Sequence, residues 1–588
     1  MRIISGNLHK ERKAMFVINK GMCVSCHNCA SECPRQAIDF VGTKYEIDQE
    51  KCVKCGLCAK VCHTGACHEE PKKKGVVQTH DLIERACDLV VVGSGSGLVS
   101  AVYAAQQGKK VILLEKNTKI GGNTDYAHGY MPQYSKWHEK MGFADEREEA
   151  VEHFYKMGEG IIEKPLVRAA VYGASNFFDW LCTLCDITET YDLHAVSESD
   201  FHGPMFGSSV VEFKERYLKN LNSRDDSIGP GWGGTHVVQT MLETIERENL
   251  DVTILMGTAA EHLLLDANGA IKGIMAADEG GQVKINCQAV MLACGGFGQN
   301  DELLKKYCHV DFFSGYPMHR YSVPGDTGDA IAMMAELGEH PDPDRMFVSI
   351  WGPRHHPFNN SIADYAQEGE FPEINLNGRR WYDESEGIFH GIAKIYQQPE
   401  HISYTILPYK QVKAVAERFM NNPAMVNRKK YFETWEYDLD YEATLDTPVK
   451  KADTLYELAE KMNVDPETFV NEMTRYSHFC ETGVDEDFHK DARFLKPFPL
   501  SEGPYYAVFG ECFSEAAMGG VTVNDQCEVM RADGSHIPGL YAGGDCTSSM
   551  HRKGKLAPIS ELTWAVASNY IAGGNMVTYI NEKETKEA

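Results

Sequence analysis

The sequence predicts an α/β chain of several domains, and three observations predict it. Two cysteine-rich blocks of identical spacing stand near the start, an apolar strand, glycine turn and helix follow them, and the chain has 588 residues, enough for several domains around a large core. Hydrophobic residues make up 43% and charged residues 24%, the balance of an ordinary soluble globular protein. A net charge of −27 leaves nothing to neutralise phosphates, which argues against nucleic acid and disfavours an anionic membrane. No run of about 18 apolar residues occurs, so no membrane insertion is expected. The opening "MRIISGNLHKERKAMFVINKG" lacks the apolar run of a signal peptide. Nineteen cysteines without an export signal then point to clusters and buried thiols in a reducing, anaerobic cytoplasm.

The cysteine blocks are "CVSCHNCASECP", from Cys23 to Pro34, and "CVKCGLCAKVCH", from Cys52 to His63. Each reads Cys-x2-Cys-x2-Cys-x3-Cys, the spacing with which bacterial ferredoxins hold [4Fe–4S] clusters. Three thiolates of a run wrap one corner of a cubane while the fourth reaches the other cluster. Two clusters are therefore expected, one on Cys23, Cys26, Cys29 and Cys62, the other on Cys33, Cys52, Cys55 and Cys58. Zinc is the rival ligand, but the triple runs suit cubanes better. His63 stands where proline is usual, and Cys67 has no assigned role. The "LCTLC" at Leu181 to Cys185 has redox-pair spacing within an apolar, helix-like stretch and reads as buried packing. A small α+β ferredoxin-like domain is expected over 1–70, followed by a charged linker over 71–86.

Next comes "CDLVVVGSGSGLVSAVYAAQQGKKVILLEK", an apolar strand, a glycine turn, a helix and a second strand ending in acid, the Rossmann-like pattern. Gly93 permits the tight turn and Gly95 lets the backbone approach a pyrophosphate. Ser96 and Gly97 open the helix, whose free N–H groups and dipole favour the phosphates. Glu115, 22 residues beyond Gly93, can bond a ribose hydroxyl, and Lys116 follows it. Leu98 occupies the place of the third glycine, with Gly97 before it, which questions how closely helix and strand approach. Acid at the second strand end favours FAD or NAD over NADP.

Further along stand "EKNTKIGGNTDYAHGY", "AVMLACGGFGQN", "PGDTGDAIAM", "INLNGRRWYDE", "MGGVTVND" and "IPGLYAGGDCTSS". In this order they resemble the soluble fumarate reductase and 3-ketosteroid dehydrogenase flavoproteins over roughly residues 86 to 580. The resemblance implies an FAD domain in two parts, 87–308 and 481–588, around an inserted α+β capping domain at 309–480. It implies that Gly121, Gly122, Asn123 and Thr124 lie along the FAD, that Gly295 and Gly296 end a returning strand, and that Asp329, Gly544 and Asp545 serve the cofactor. Membrane-bound relatives attach FAD through a histidine just after the paired glycines. Asn123 and Thr124 stand there, and His128 lies too far along, so FAD is expected to be non-covalent.

The dicarboxylate clamp of fumarate reductases is not repeated. Their His-His-Thr-Met-Gly-Gly stretch reads Glu515 to Gly520 here, Ile350 lies near the place of a cap histidine, and Ile388 stands where the acid arginine belongs. A buried dicarboxylate without partners costs several kcal/mol, so fumarate is an unsuitable substrate. The aromatic stretches "FVSIWGPRHHPF" and "YFETWEYDLDY" suit a bulkier, less charged molecule, or else pack the cap's own core. Tyr505, Tyr506, Glu515, His551 and Lys555, the last with Arg552 nearby, are the candidates for proton transfer. His355, His356, Arg379 and Arg380 are weaker ones.

These features point to an FAD-dependent ene-reductase. Electrons enter through two clusters from a ferredoxin, flavodoxin or partner reductase and leave as hydride from FAD to an activated C=C bond, with a side chain protonating the α-carbon. A desaturase of the ketosteroid type, running oxidatively, is the alternative. An electron-transfer subunit of a larger complex is the other, although a relay needs no cap.

Overall fold

A computed structural model describes residues 2–4, 15–19, 23, 28–31, 33–41, 44–62, 66–70, 82–127, 132–140, 144–158, 160–185, 191–195, 209–213, 233–307, 322–348, 351–353, 369–386, 394–395, 397–421, 433–444, 449–512, 517–547, 551–552, 555–556 and 561–587. Its largest sheet has seven strands, in the order Arg2–Ile4, Val252–Met256, Val111–Glu115, Leu89–Val92, Ala289–Leu292, His536–Ala542 and Glu528–Met530. All neighbours are parallel except the last pair. Leu89–Val92 and Ala289–Leu292 are buried at every position, which is why they read as unbroken apolar runs: a parallel sheet is covered on both faces. One cover is the C-terminal helix Glu561–Glu587, packed on helices Gly97–Gln106 and Lys164–Leu184. The chain order reverses around Leu89–Val92, and an open α/β sheet has its ligand crevice at the carboxyl ends beside such a switch.

The strand Ile83–Ala86 pairs in parallel with Gly281–Asn286 at the edge of a four-stranded sheet. The end of the expected linker is thus structural. Likewise Arg2–Ile4 extends the large sheet, so the span 1–70 is not wholly a ferredoxin-like domain. Within that domain Met15–Ile18 pairs with Cys67–Glu70 and Ile38–Val41 with Lys44–Ile47. Short helices Asn28–Ser31 and Leu57–Val61 lie within the cysteine runs and carry Cys29 and Cys58.

The cap is built on a second sheet, in which Tyr505–Cys512 pairs with Trp351–Pro353, Ile402–Pro408 and Val449–Ala452. The expected boundary at 480 therefore has to move. It falls inside the helix Pro466–Thr482, and the cap's central strand comes only afterwards, so the cap reaches residue 512. Separate apolar cores lie on the two faces of this sheet.

Beneath one face sits a fully buried charge cluster. The Arg380 guanidinium donates to both oxygens of Glu384, at 2.8 and 2.7 Å, and to Asp485 at 2.8 Å. Lys490 Nζ lies 3.3 Å from Glu384 and donates to the Tyr476 hydroxyl at 2.9 Å. Two cations face two carboxylates. Burial and the Glu384 charge hold the adjacent Glu373 carboxyl well above the usual carboxylate range. Removing one member strands a charge in the interior. Arg380→Met is expected to destabilise the cap by about 3–5 kcal/mol, measured as the loss in unfolding free energy by urea denaturation.

Candidate active site

The carboxyl ends of the central strands open into a cleft of about 680 Å³. Gly93 ends strand Leu89–Val92 at φ +104°, and a Cβ there would stand 2.2 Å from the Ala293 carbonyl oxygen. Only glycine lets these backbones approach so closely. Gly97 answers the question of the missing third glycine. A Cβ on it would meet Val91 Cγ1 at 2.9 Å and the Ala293 methyl at 3.1 Å, so Gly97 provides the close helix–strand contact, and Leu98 is simply a buried side chain.

The second strand places Glu115 in the cleft. Its carboxylate accepts from Ser94 N–H at 3.1 Å, from the Ser94 hydroxyl and from Asn117 N–H at 2.7 Å. The same Ser94 hydroxyl accepts from Gly121 N–H at 3.1 Å, tying the two glycine turns together. Lys116 donates to Thr327 and Asp329, both at 2.7 Å. Asn123 accepts from Val323 N–H at 2.8 Å, and Asn569 of the C-terminal helix donates to Ser96 at 3.0 Å.

Of the expected cofactor residues, Gly93, Gly95, Ser96, Glu115, Lys116, Gly122, Asn123, Thr124, Gly295, Asp329, Gly544 and Asp545 line this one cleft. Gly97, Gly121 and Gly296 do not: they support it, Gly296 by packing against the Ala517 carbonyl. Sequence reasoning missed Asn117, Thr258, Cys294 and Asp326. Cys294 and Asp326 stand inside two of the quoted motifs and were within reach, whereas Thr258 lies in a segment without one.

Asp326 is 1% exposed. Its Oδ2 accepts from Gly298 N–H at 3.0 Å, while Oδ1 meets no donor among the described residues. Burial, then the charge of Asp545, pushes its carboxyl up to about 7. Burial likewise raises Asp545 to about 6, against the Asn123 amide that draws it back. A glycine cradle, an acid at the second strand end and a buried oxygen awaiting a donor fit FAD, which brings hydroxyl and N–H groups to such a cleft.

The cluster residues fit their groups as well. Cys33, Cys52, Cys55 and Cys58 all line a single cavity of about 330 Å³, walled by Phe16, Ile38 and Ile47. Ala37 N–H points at Cys33 Sγ, at 3.3 Å, and Cys67 N–H at Cys62 Sγ, at 3.1 Å, as thiolate ligands require. Cys23 and Cys29 are buried in the same core, and Cys26 lies outside the described residues. Cys67 is itself buried. Burial also pushes the Cys182 thiol up to about 12, so the "LCTLC" pair is packing.

The candidate proton donors divide. Tyr505 and Tyr506 are both fully buried, on opposite faces of the cap sheet. The Tyr505 hydroxyl donates to the Pro499 carbonyl at 2.9 Å and the Tyr506 hydroxyl to Asp440 at 2.6 Å. Neither lines the cleft, and both are structural. Glu515, Ile350, Ile388, His128, His355 and His356 lie outside the described residues. His551 and Lys555 stand on a hairpin in which His551 pairs with Leu556 and Arg552 with Lys555. That hairpin lies against the turn Pro343–Arg345, where Arg345 makes a two-pronged contact with Glu163 and Arg552 approaches the same carboxylate at 3.9 Å. Arg380 belongs to the buried cluster, and Arg379 pairs with Glu472 at 3.1 Å.

Comparison with known proteins matches residues 88–559 to the family described as FAD binding domain and residues 22–66 to the 4Fe-4S dicluster domain. The chain is 26% identical to the NADH:fumarate oxidoreductase of Klebsiella pneumoniae over 80% of its own length, but spans only 46% of that protein. It is 26% identical to the vinyl phenol reductase of Lactiplantibacillus plantarum, covering 78% of this chain and 89% of that one. Among solved structures, the 3-ketosteroid-Δ4-(5α)-dehydrogenase of Rhodococcus jostii superposes with a TM-score of 0.63 at 19% identity, over 86% of this chain and 99% of the other.

The raised Asp326 carboxyl has a measurable consequence. Between the ordinary aspartate range and about pH 7, folded cofactor-free protein holds this proton and the unfolded chain does not. Stability therefore falls as pH rises across that window, by at most about 1.4 kcal/mol per unit. Thermal unfolding of cofactor-free protein is expected to show a lower midpoint at pH 8 than at pH 5, and Asp326→Asn to shrink that difference.

Proposed function

The chain belongs to the FAD binding domain family, and from that premise we propose that it is an iron–sulfur flavoenzyme reducing an activated C=C bond in an enone or enoate other than fumarate. The observation that carries the proposal is the joining, in one chain, of a four-cysteine cavity, a dinucleotide cleft and a second sheet with cores of its own. The fumarate and vinyl phenol reductases among the relatives support C=C reduction, and the exclusion of fumarate rests on the missing dicarboxylate clamp.

In this reading two [4Fe–4S] clusters are held by the eight cysteines of the two runs, and FAD is bound without a covalent link. Bound FAD supplies two-electron hydride chemistry and the clusters supply electrons singly. The chain's own residues bind and orient. The Gly93 to Ser96 turn receives the pyrophosphate, Glu115 a ribose, and Asn123 with Asp545 the remaining polar groups. The strand Ala517–Met518 pairs with Phe347–Val348, and the Ala517 carbonyl packs on Gly296 behind the cleft. His551, Lys555 and Glu515 are the candidates to deliver a proton to the α-carbon, and Arg552 to steady charge on the activating carbonyl. The donor is a cytoplasmic ferredoxin, flavodoxin or partner reductase.

Under anaerobic conditions with a low-potential donor, the holoenzyme is expected to reduce aromatic enones or enoates faster than fumarate. Glu515→Gln, His551→Gln and Lys555→Met are each to be assayed, and at least one is expected to lower kcat by about 10²-fold or more. No turnover across a broad alkene panel overturns the activity. Unchanged turnover in all three variants overturns the site.

A further inference from the structure

Within the Cys33, Cys52, Cys55 and Cys58 set, Cys58 is buried, Cys33 and Cys52 are half-buried and Cys55 is open to solvent. The cavity shared by Cys33, Cys52, Cys55 and Cys58 is also lined by Arg35 and Val53, both exposed. One cluster site thus reaches the surface at Cys55, and Arg35, Val53 and the exposed side chains that neighbour its cysteines in sequence make up its collar. Val53 is 55% and Leu57 38% exposed, an unusual outlay of apolar surface on so small a domain. Lys54 and Lys60 are exposed beside them, and the segment 51–60, "KCVKCGLCAK", carries three lysines and no acid in a chain of net charge −27.

The nearby acids are accounted for. Asp48 and Asp39 lie 3.3 and 3.7 Å from Lys51, and Glu50 is exposed beside that group. Among the described residues, Arg35, Lys54 and Lys60 have no ion-pair partner. Exposed apolar side chains beside cations without an ion-pair partner among the described residues complement an acidic surface, and on a strongly acidic protein they orient an approaching partner.

Resting on the reading that electrons enter through the clusters, we propose that this collar is the docking surface for an acidic protein electron carrier, received at the Cys33, Cys52, Cys55 and Cys58 site. Val53 and Leu57 make the dry contact and Lys54 and Lys60 steer the encounter. Each encounter passes one electron, so two carriers, each oxidised by one electron, supply the pair that joins two protons in saturating one C=C bond. The contact is transient by design, since each spent carrier has to leave before the next arrives.

The test is stopped-flow reduction of the full-length holoenzyme by a reduced ferredoxin of net negative charge, with photoreduced 5-deazariboflavin as an uncharged small donor. Lys54→Glu with Lys60→Glu is expected to lower the second-order rate constant with ferredoxin roughly tenfold or more at low salt, and to leave reduction by deazariboflavin unchanged. The wild-type ferredoxin rate is expected to fall with added salt. A variant rate equal to wild type, or a wild-type rate indifferent to salt, overturns the proposal. If charge reversal lowers the iron content, Lys54→Gln with Lys60→Gln decides in the same way. Loss of alkene turnover with either donor in wild-type enzyme defeats the ene-reductase reading and leaves the docking result standing.

Discussion

The cleft depends on one close approach, that of the backbone at Gly93 to the backbone at Ala293. No side chain fits between them, since a Cβ on Gly93 would sit 2.2 Å from the Ala293 oxygen. That contact lets the ends of four strands finish level. Gly93 N–H donates to Leu114, Ala293 N–H to Val92, and Gly543 N–H to Leu292, at 2.8, 2.9 and 3.0 Å. Segments hundreds of residues apart thereby present a helix N-terminus, the Glu115 carboxylate and the Gly543 to Asp545 turn to one space. A residue with a side chain at Gly93 would part the strands and lose the cleft with them.

The cap obeys a different constraint. Its sheet has a core on each face; of the aromatic residues read as substrate-lining candidates, Trp435 packs into one of these cores, whereas Tyr437 and Tyr441 are exposed. Tyr505 and Tyr506, adjacent in sequence, necessarily point to opposite faces of one strand, and each face is a core. The balanced set of Arg380, Lys490, Glu384 and Asp485 sits beneath one of them. It contributes little net stability as a set, because desolvation offsets attraction, yet it fixes one arrangement, since any slip strands a buried charge. A cap with a single packing is what a site formed at its edge requires.

Much of this was legible in the residues. Ligand spacing is a local property, so the cysteine runs announce their cavity directly. The glycine fingerprint with Glu115 likewise gives the turn, the helix and the acid, because one backbone geometry demands all three. The rest depends on contacts distant in sequence. Leu98 at the third-glycine place misled because position was read without the partner surface: Val91 and Ala293 press on Gly97 instead. The tyrosines misled because proximity to a family motif says nothing of which face of a strand is wet. The cap boundary was missed because strand Tyr505–Cys512 pairs with segments about 50 to 160 residues earlier, and nothing local to residue 480 marks that. Asp326 stands inside a quoted motif, but its burial and its place in the lining of the cleft depend on packing that the motif does not encode.

In the proposed reaction electrons run inward through the clusters and leave on a substrate double bond. A potentiometric titration of the holoenzyme tests it most directly, with the clusters followed by electron paramagnetic resonance and FAD by absorbance. The account predicts that the clusters titrate at potentials well below the flavin, so that electrons fall towards the cleft. Clusters titrating above the flavin would drain it, and would contradict the account in favour of a desaturase.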